Sequence, residues 1–186
     1  MDVDQFARSP IGRLFIRMLG SGMESRLRYR FFGPLNILKG ADLLPGQSVL
    51  EVGCGTGYFT IPAARLIGDQ GCLIAMDVVS ESAELVSNKV QAANLKNVRV
   101  IKGDAMNTGL DAESFHMALL FGVIPAPMLP LDRLLPEMQR VLKVEGTLAV
   151  WPPVPGWLPQ SILKSGLFRL SSKRAGVHNF KKCQVS

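Results

Sequence analysis

Between Gln47 and Cys183 the apolar positions switch repeatedly between a strand period and a helix period. "SVLEV" (Ser48 to Val52) predicts a short strand, and "GYFTIPAARLI" a helix in which Pro62 is admissible only within the first turn. "GCLIAMDV" predicts the second strand, and "SESAELVSNKVQAANL" a helix with Ser80 as its expected cap. "NVRVIKGD" predicts the third strand. "ESFHMALLFGV" contains the fourth, apolar at nearly every position, as a strand covered on both faces requires. "LDRLLPEMQRVLK" reads as a helix with a kink expected at Pro136, and "GTLAVW" as the fifth strand. "LPQSILKS" predicts a short helix. "LFRLSS" and "VHNFKKC" then predict two strands joined through "KRAG". This alternation implies an α/β fold: a mostly parallel seven-stranded sheet flanked by helices and ending in an antiparallel β-hairpin.

Ahead of this region, "IGRLFIRML" (Ile11 to Leu19) sets Ile11, Leu14, Phe15 and Met18 on one helical face, with Ser9 as N-cap and Pro10 in the first turn. Residues 1–40 are therefore expected to form an N-terminal helical lid or extension, and residues 41–186 the main domain. Charge divides the chain in the same way. Residues 1–40 hold seven Lys/Arg against three acids, residues 41–159 eight against twelve, and residues 160–186 six against none. Basic flanks suit an anionic partner, lipid head groups or RNA, and equally an ordinary solvated surface. The longest uncharged apolar stretch, "MALLFGVIPAPMLPL", is too short to span a bilayer and carries three prolines. No signal-peptide pattern opens the chain, so a cytoplasmic location is expected, with peripheral membrane contact through the N-terminal helix, or a homodimer through the same face, as options. Cys54, Cys72 and Cys183 lack disulfide or zinc spacing, and no metal is expected.

The densest chemistry lies in "VLEVGCGTGYFT", where Gly53, Gly55 and Gly57 follow a strand and precede a helix. Such a loop brings backbone N–H groups to a helix N-terminus with no side chain in the way, which suits close approach by a cofactor. The dinucleotide fingerprint G-x-G-x-x-G needs a glycine where Tyr58 stands, so the spacing argues against NAD. "VLEVGCGTG" resembles the nucleotide-binding signature of the class I S-adenosylmethionine-dependent methyltransferases, and the order of elements from roughly residue 35 to 186 is similar to theirs. Within them the chain looks closest to the small-molecule branch that includes the ubiquinone/menaquinone-biosynthesis C-methyltransferases. The resemblance implies a Rossmann-like fold and S-adenosyl-L-methionine as cofactor. It implies that Glu51 contacts the amino group of the methionine part, and that Gly53, Cys54, Gly55 and Gly57 form the loop around it. Asp77 would bind the ribose hydroxyls and Val78 the adenine face. Gly103, Asp104 and Ala105 would serve the adenine edge, and Phe121 and Gly122 would flank the methionine moiety. Asp104 reads alternatively as a helix cap, and Phe121 as plain core.

The chain departs from the family pattern at two places. "SFHMA" has His116 where an Asp is common, and "KVEGT" keeps only Gly146 of a Pro-Gly-Gly. Both are expected at the sheet end away from the cofactor, which removes His116 as an acid–base candidate. His178 reads as a surface hairpin residue, and no catalytic residue is assigned. Glu24 and Tyr29 are lid candidates, or plain helix-surface positions. After the fourth strand no Asn-Pro-Pro-Tyr type sequence occurs. "GVIPAP" there, with "WPPVPGW" after the fifth strand, predicts an apolar rim around a small, lipophilic acceptor. The alternatives are an RNA methyltransferase and a non-catalytic cofactor-binding partner subunit.

Overall fold

The computed structural model describes residues 33–124, 129–152 and 160–183. The expected N-terminal helix, Glu24, Tyr29 and much of both proline-rich rim loops lie outside these residues. In chain order the elements are α1 (Pro34–Gly40), β1 (Ser48–Val52), α2 (Thr60–Ile67), β2 (Cys72–Asp77), α3 (Ser80–Ala92), β3 (Val98–Lys102), β4 (Phe115–Phe121), α4 (Leu131–Val141), β5 (Leu142–Trp151), α5 (Gln160–Lys164), β6 (Phe168–Arg174) and β7 (Val177–Lys182). The seven strands form one sheet in the order β3-β2-β1-β4-β5-β7-β6. The first five are parallel, and β7 runs antiparallel to both β5 and β6.

Alternate residues of each strand face opposite sides of the sheet, and each side has its own core. On one side Leu50, Met76, Leu120, Val150 and Phe180 pack against Leu134, Leu135 and Met138 of α4 and Ile162 of α5. On the other, Val49, Leu73, Leu119 and Val177 pack against Ile37 and Leu38 of α1 and Ala63, Ala64 and Ile67 of α2. Val86 and Val90 of α3 cover Ala75 and Cys54 nearby. β4 lies at the centre, which explains its almost unbroken apolar sequence. α1, although it lies within the expected N-terminal extension, is fixed to the sheet domain by its two buried aliphatic side chains, each of which contributes roughly 1.5–3 kcal/mol.

Several local expectations need correction. Ser80 is the first residue of α3 and not its cap. Val79 takes that position in an extended conformation, and its N–H is held by the Asp77 carboxylate instead. β5 begins four residues earlier than expected, because Leu142 follows α4 directly and pairs with Phe115. The extra residues before Thr147 are absorbed in a bulge where Glu145 adopts φ 58°. α2 starts at Thr60 because the residues before it are spent in a turn closed by the Gly57 N–H on the Cys54 carbonyl. Pro62 then falls in the first turn, where no donor is lost. The largest correction concerns His178, which is only 3 % exposed. β7 is inserted between β5 and β6, so its residues have neighbours on both sides. Local hairpin signals do not reveal which of two strands takes the inner place.

Candidate active site

The parallel strands end together along one edge of the sheet, and the polypeptide that leaves β1, β2 and β3 builds a cleft there. It is lined by Val52, Gly53, Met76, Asp77, Val78, Gly103, Ala105 and Leu129. The glycine loop is anchored from below. The Gly53 and Cys54 N–H groups both donate to the Met76 carbonyl, at 2.8 and 3.0 Å. Lys89 of α3 donates from Nζ to the Thr56 carbonyl at 2.8 Å. A Cβ at Gly53 would collide with Val123, whereas one at Gly55 would point into open space with only the Gly53 carbonyl oxygen near, at 3.9 Å. The crowding at Gly53 is internal. At Gly55 the backbone, at φ +53°, is left bare on the side of the cleft.

Asp77 joins loop to strand. Its Oδ2 accepts the Gly55 N–H at 2.8 Å and its Oδ1 the Val79 N–H at 2.9 Å. An ionised carboxylate has about four lone-pair sites, so both oxygens keep capacity for further donors while their orientation is fixed. Burial raises the Asp77 pKa, and the N–H groups of Val79, Gly55 and Val78 oppose that rise. Glu51, near the end of β1, is 3 % exposed and accepts the Thr60 hydroxyl at 2.6 Å. Burial pushes its pKa up to about 8, with Asp77 adding to the rise and Thr60 holding it back. Cys54 is buried beneath the loop, and burial together with Glu51 and Asp77 raises its thiol pKa as well. Two buried carboxyl groups of raised pKa mark an environment short of positive charge, and a cationic ligand would relieve it.

A family model for a methyltransferase domain matches residues 49–146, just over half of the chain. The chain belongs to the methyltransferase-domain family. Its cofactor is accordingly S-adenosylmethionine. A demethylmenaquinone methyltransferase of Lactobacillus johnsonii is 30 % identical over 135 residues, covering 72 % of this chain and 52 % of that protein. One from Listeria welshimeri is 36 % identical over 117 residues, covering 60 % and 49 %. The chain thus spans about half the length of the curated relatives it matches. A SAM-dependent methyltransferase from Aquifex aeolicus shares the fold, with a TM-score of 0.68 at 23 % identity over 90 % of this chain and 95 % of that one.

The methyltransferase-domain cleft brings together Gly53, Gly55, Asp77, Val78, Gly103 and Ala105, and its donor set suits the cofactor. It offers an oriented carboxylate for hydroxyl donors, bare backbone beside it and acidic groups for a positive charge. Asp104 is exposed and forms a local turn: its Oδ1 accepts the Met106 N–H at 2.8 Å, and its backbone bridges to Asn107. Gly122 donates its N–H to the Trp151 carbonyl at 2.8 Å and stands at the cleft edge of β4 and β5. Phe121 is buried on the α2 side, its ring 5.0 Å from Phe59 in an edge contact, and Phe59 in turn meets Tyr58 and Trp151. Its side chain serves the core.

Thr60 and Lys89 were not foreseen. A hydroxyl in a first helical turn and a lysine in a polar helix are too common to mark a site, and only the fold brings them to the loop. His116 lies at the opposite end of the sheet, where its Nδ1 accepts the Ser48 N–H at 2.9 Å and its Nε2 meets Lys143 Nζ at 3.0 Å. A trough of about 490 Å³ between α4 and α5, lined by Leu131, Asp132, Leu135 and Lys164 among others, includes no residue of the glycine loop. No group of His, Cys, Asp or Glu among the described residues could hold a metal ion, and no described helix is long and apolar enough to cross a membrane.

Proposed function

We propose that this protein transfers a methyl group from S-adenosylmethionine to a small lipophilic acceptor by in-line displacement, and that the acceptor carries a hydroxylated aromatic ring of the naphthoquinol class. The observation that carries the cofactor part is the Asp77 carboxylate, fixed on both oxygens by the N–H groups of Gly55 and Val79 beside open glycine backbone. The acceptor part rests on the demethylmenaquinone methyltransferases among its relatives and on the apolar sequences that follow β4 and β5.

The cofactor, when bound, supplies an electrophilic methyl carried on a sulfonium. The chain's residues then have to bind, align and exclude water. Asp77 holds the ribose hydroxyls, while Val78, Gly103 and Ala105 form the walls around the base. Glu51 gives up its proton and accepts the α-ammonium group. The rigid loop, pinned by Lys89 and the Met76 carbonyl, keeps these contacts in register, and such positioning supplies most of what a displacement with an activated leaving group needs.

A polyanionic acceptor such as RNA is less well served. Arg169 pairs with Glu145, Arg174 with Asp42 and Lys182 with Glu113, while Lys181 donates to the Glu145 carbonyl. Four of the six cations in residues 160–186 are thereby engaged locally. The direct test is transfer of labelled methyl to a short-chain demethylmenaquinone kept reduced with dithionite. Stoichiometric formation of the methylated quinol is expected. Cofactor binding without transfer to this probe would overturn the acceptor reading.

A further inference from the structure

His178 is the second residue of β7, paired with Val150 of β5 on one side and Lys173 of β6 on the other. It is buried, yet neither ring nitrogen has a hydrogen-bond partner. An unpaired buried polar group costs on the order of 1–3 kcal/mol, and an aliphatic side chain would fill the place without that cost. Its surroundings are apolar, with the Phe180 ring nearly parallel at a centroid distance of 6.5 Å. The Val150 carbonyl lies near the ring but completes no hydrogen bond with it. Lys173 is the charged group acting on it among the described residues.

Its place in the sheet gives the imidazole a use. Val150, its partner on β5, pairs with Leu120 on β4, and all three stand one residue short of the strand ends that carry Phe121 and Trp151. Leu120, Val150 and Phe180 share a core with Val52, Met76 and Ala105, so His178 lies on the same side of the sheet as these lining residues of the cofactor cleft. With strands about 4.8 Å apart, two strand spacings put His178 roughly 10 Å along the edge from β4. That separation leaves room for one bicyclic ring between the end of β4 and the imidazole.

We propose that His178 is the catalytic base that takes the hydroxyl proton of a phenolic acceptor. The inference rests on the acceptor reading above. A neutral imidazole nitrogen accepts the hydroxyl proton, the O–H bond breaks, and the oxygen pair is released into the ring. The ring carbon beside the C–O bond then forms its new bond to the methyl carbon as the methyl–sulfur pair returns to sulfur. The imidazolium restores its proton to the oxygen while the methylated carbon loses its own proton to solvent. One proton is released overall, balancing loss of the sulfonium charge. Burial first and Lys173 second lower the His178 pKa, which keeps the ring neutral and ready to accept. Lys173, on the adjacent strand, favours the phenolate electrostatically.

The chain has two histidines, so ring nitrogen-15 spectra of histidine-labelled protein resolve His178 from His116 directly. The probe is 1-naphthol, added to protein saturated with S-adenosylhomocysteine. The His178 signals should move and those of His116 should not. In parallel, His178→Gln and His178→Phe are assayed with reduced short-chain demethylmenaquinone. Both should fold, bind S-adenosylmethionine as the wild type does, lose about 100-fold in kcat and lose the acidic limb of the pH profile. Unmoved His178 signals, or a His178→Gln enzyme with wild-type kcat and pH limb, would overturn the inference while the acceptor reading stands. Moved His178 signals without any methylation of the quinol would support phenol binding at His178 and remove the naphthoquinol reading.

Discussion

The burial of Glu51 has a measurable consequence in the free protein. Its carboxyl titrates near pH 8 in the folded state against about 4.5 in the unfolded chain. Below pH 4.5 it is protonated in both states and its burial carries no charge penalty. Between pH 4.5 and 8 the unfolded chain releases the proton and the folded one keeps it, so stability falls as pH rises. Above pH 8 both are ionised and the loss is complete. At about 1.4 kcal/mol per pH unit, the loss reaches up to roughly 5 kcal/mol across the window. Asp77, whose pKa is also raised, acts in the same direction. Glu51→Gln removes the larger part of this slope and keeps an acceptor for the Thr60 hydroxyl. Urea unfolding of both proteins from pH 5 to pH 8.5 is the assay. The wild type should lose several kcal/mol, and the Gln variant should stay nearly flat and be the more stable at pH 8. The same substitution should weaken S-adenosylmethionine by about 1.5–3 kcal/mol through loss of a charged hydrogen bond. Wild-type binding at pH 6.5, where an α-amino group is still charged, should release a proton, detectable by calorimetry in buffers of different ionisation enthalpy. Parallel stability curves for wild type and Gln variant would refute this account of Glu51.

Asp77→Ala removes the acceptor of the Gly55 and Val79 N–H groups and the proposed ribose contacts together. Calorimetric affinity for S-adenosylmethionine should fall by roughly one to a few kcal/mol, and unchanged affinity would take Asp77 out of the site. Gly55→Val sets a β-branched side chain at φ +53° on the open side of the loop and should abolish binding. A folded Val variant that still binds would sink the loop assignment. Lys89→Met releases the Thr56 carbonyl and should lower cofactor affinity several-fold with little change in melting temperature, read by calorimetry and thermal melts.

Elements whose identity rests on local pattern were legible in the sequence. β1 matches the predicted strand, and the nearly continuous apolar run of β4 announced its central position. Candidate positions at strand ends were legible for the same reason. Glycines and an acid at fixed offsets after consecutive strands converge once the strands are parallel, and Gly53, Asp77, Val78, Gly103 and Ala105 do meet in one cleft. What stayed hidden depends on contacts far apart in the chain. The exchange of places between β6 and β7 buries His178, and nothing in "VHNFKK" marks that. Thr60 became the partner of Glu51 through the angle at which α2 leaves the loop. Phe121 was assigned by analogy to the cofactor, but the alternation of β4 turns its ring to Phe59 on the other side of the sheet.

The central claim is methyl transfer to a lipophilic molecule, and it is tested most directly by incubating the protein with methyl-labelled S-adenosylmethionine and an extract of its native cells. The label is then partitioned between organic solvent, RNA and the aqueous remainder. Protein-dependent label in the organic phase, lost in the Asp77→Ala variant, is the predicted result. Label confined to RNA or to the aqueous fraction, or none in any fraction, would contradict it.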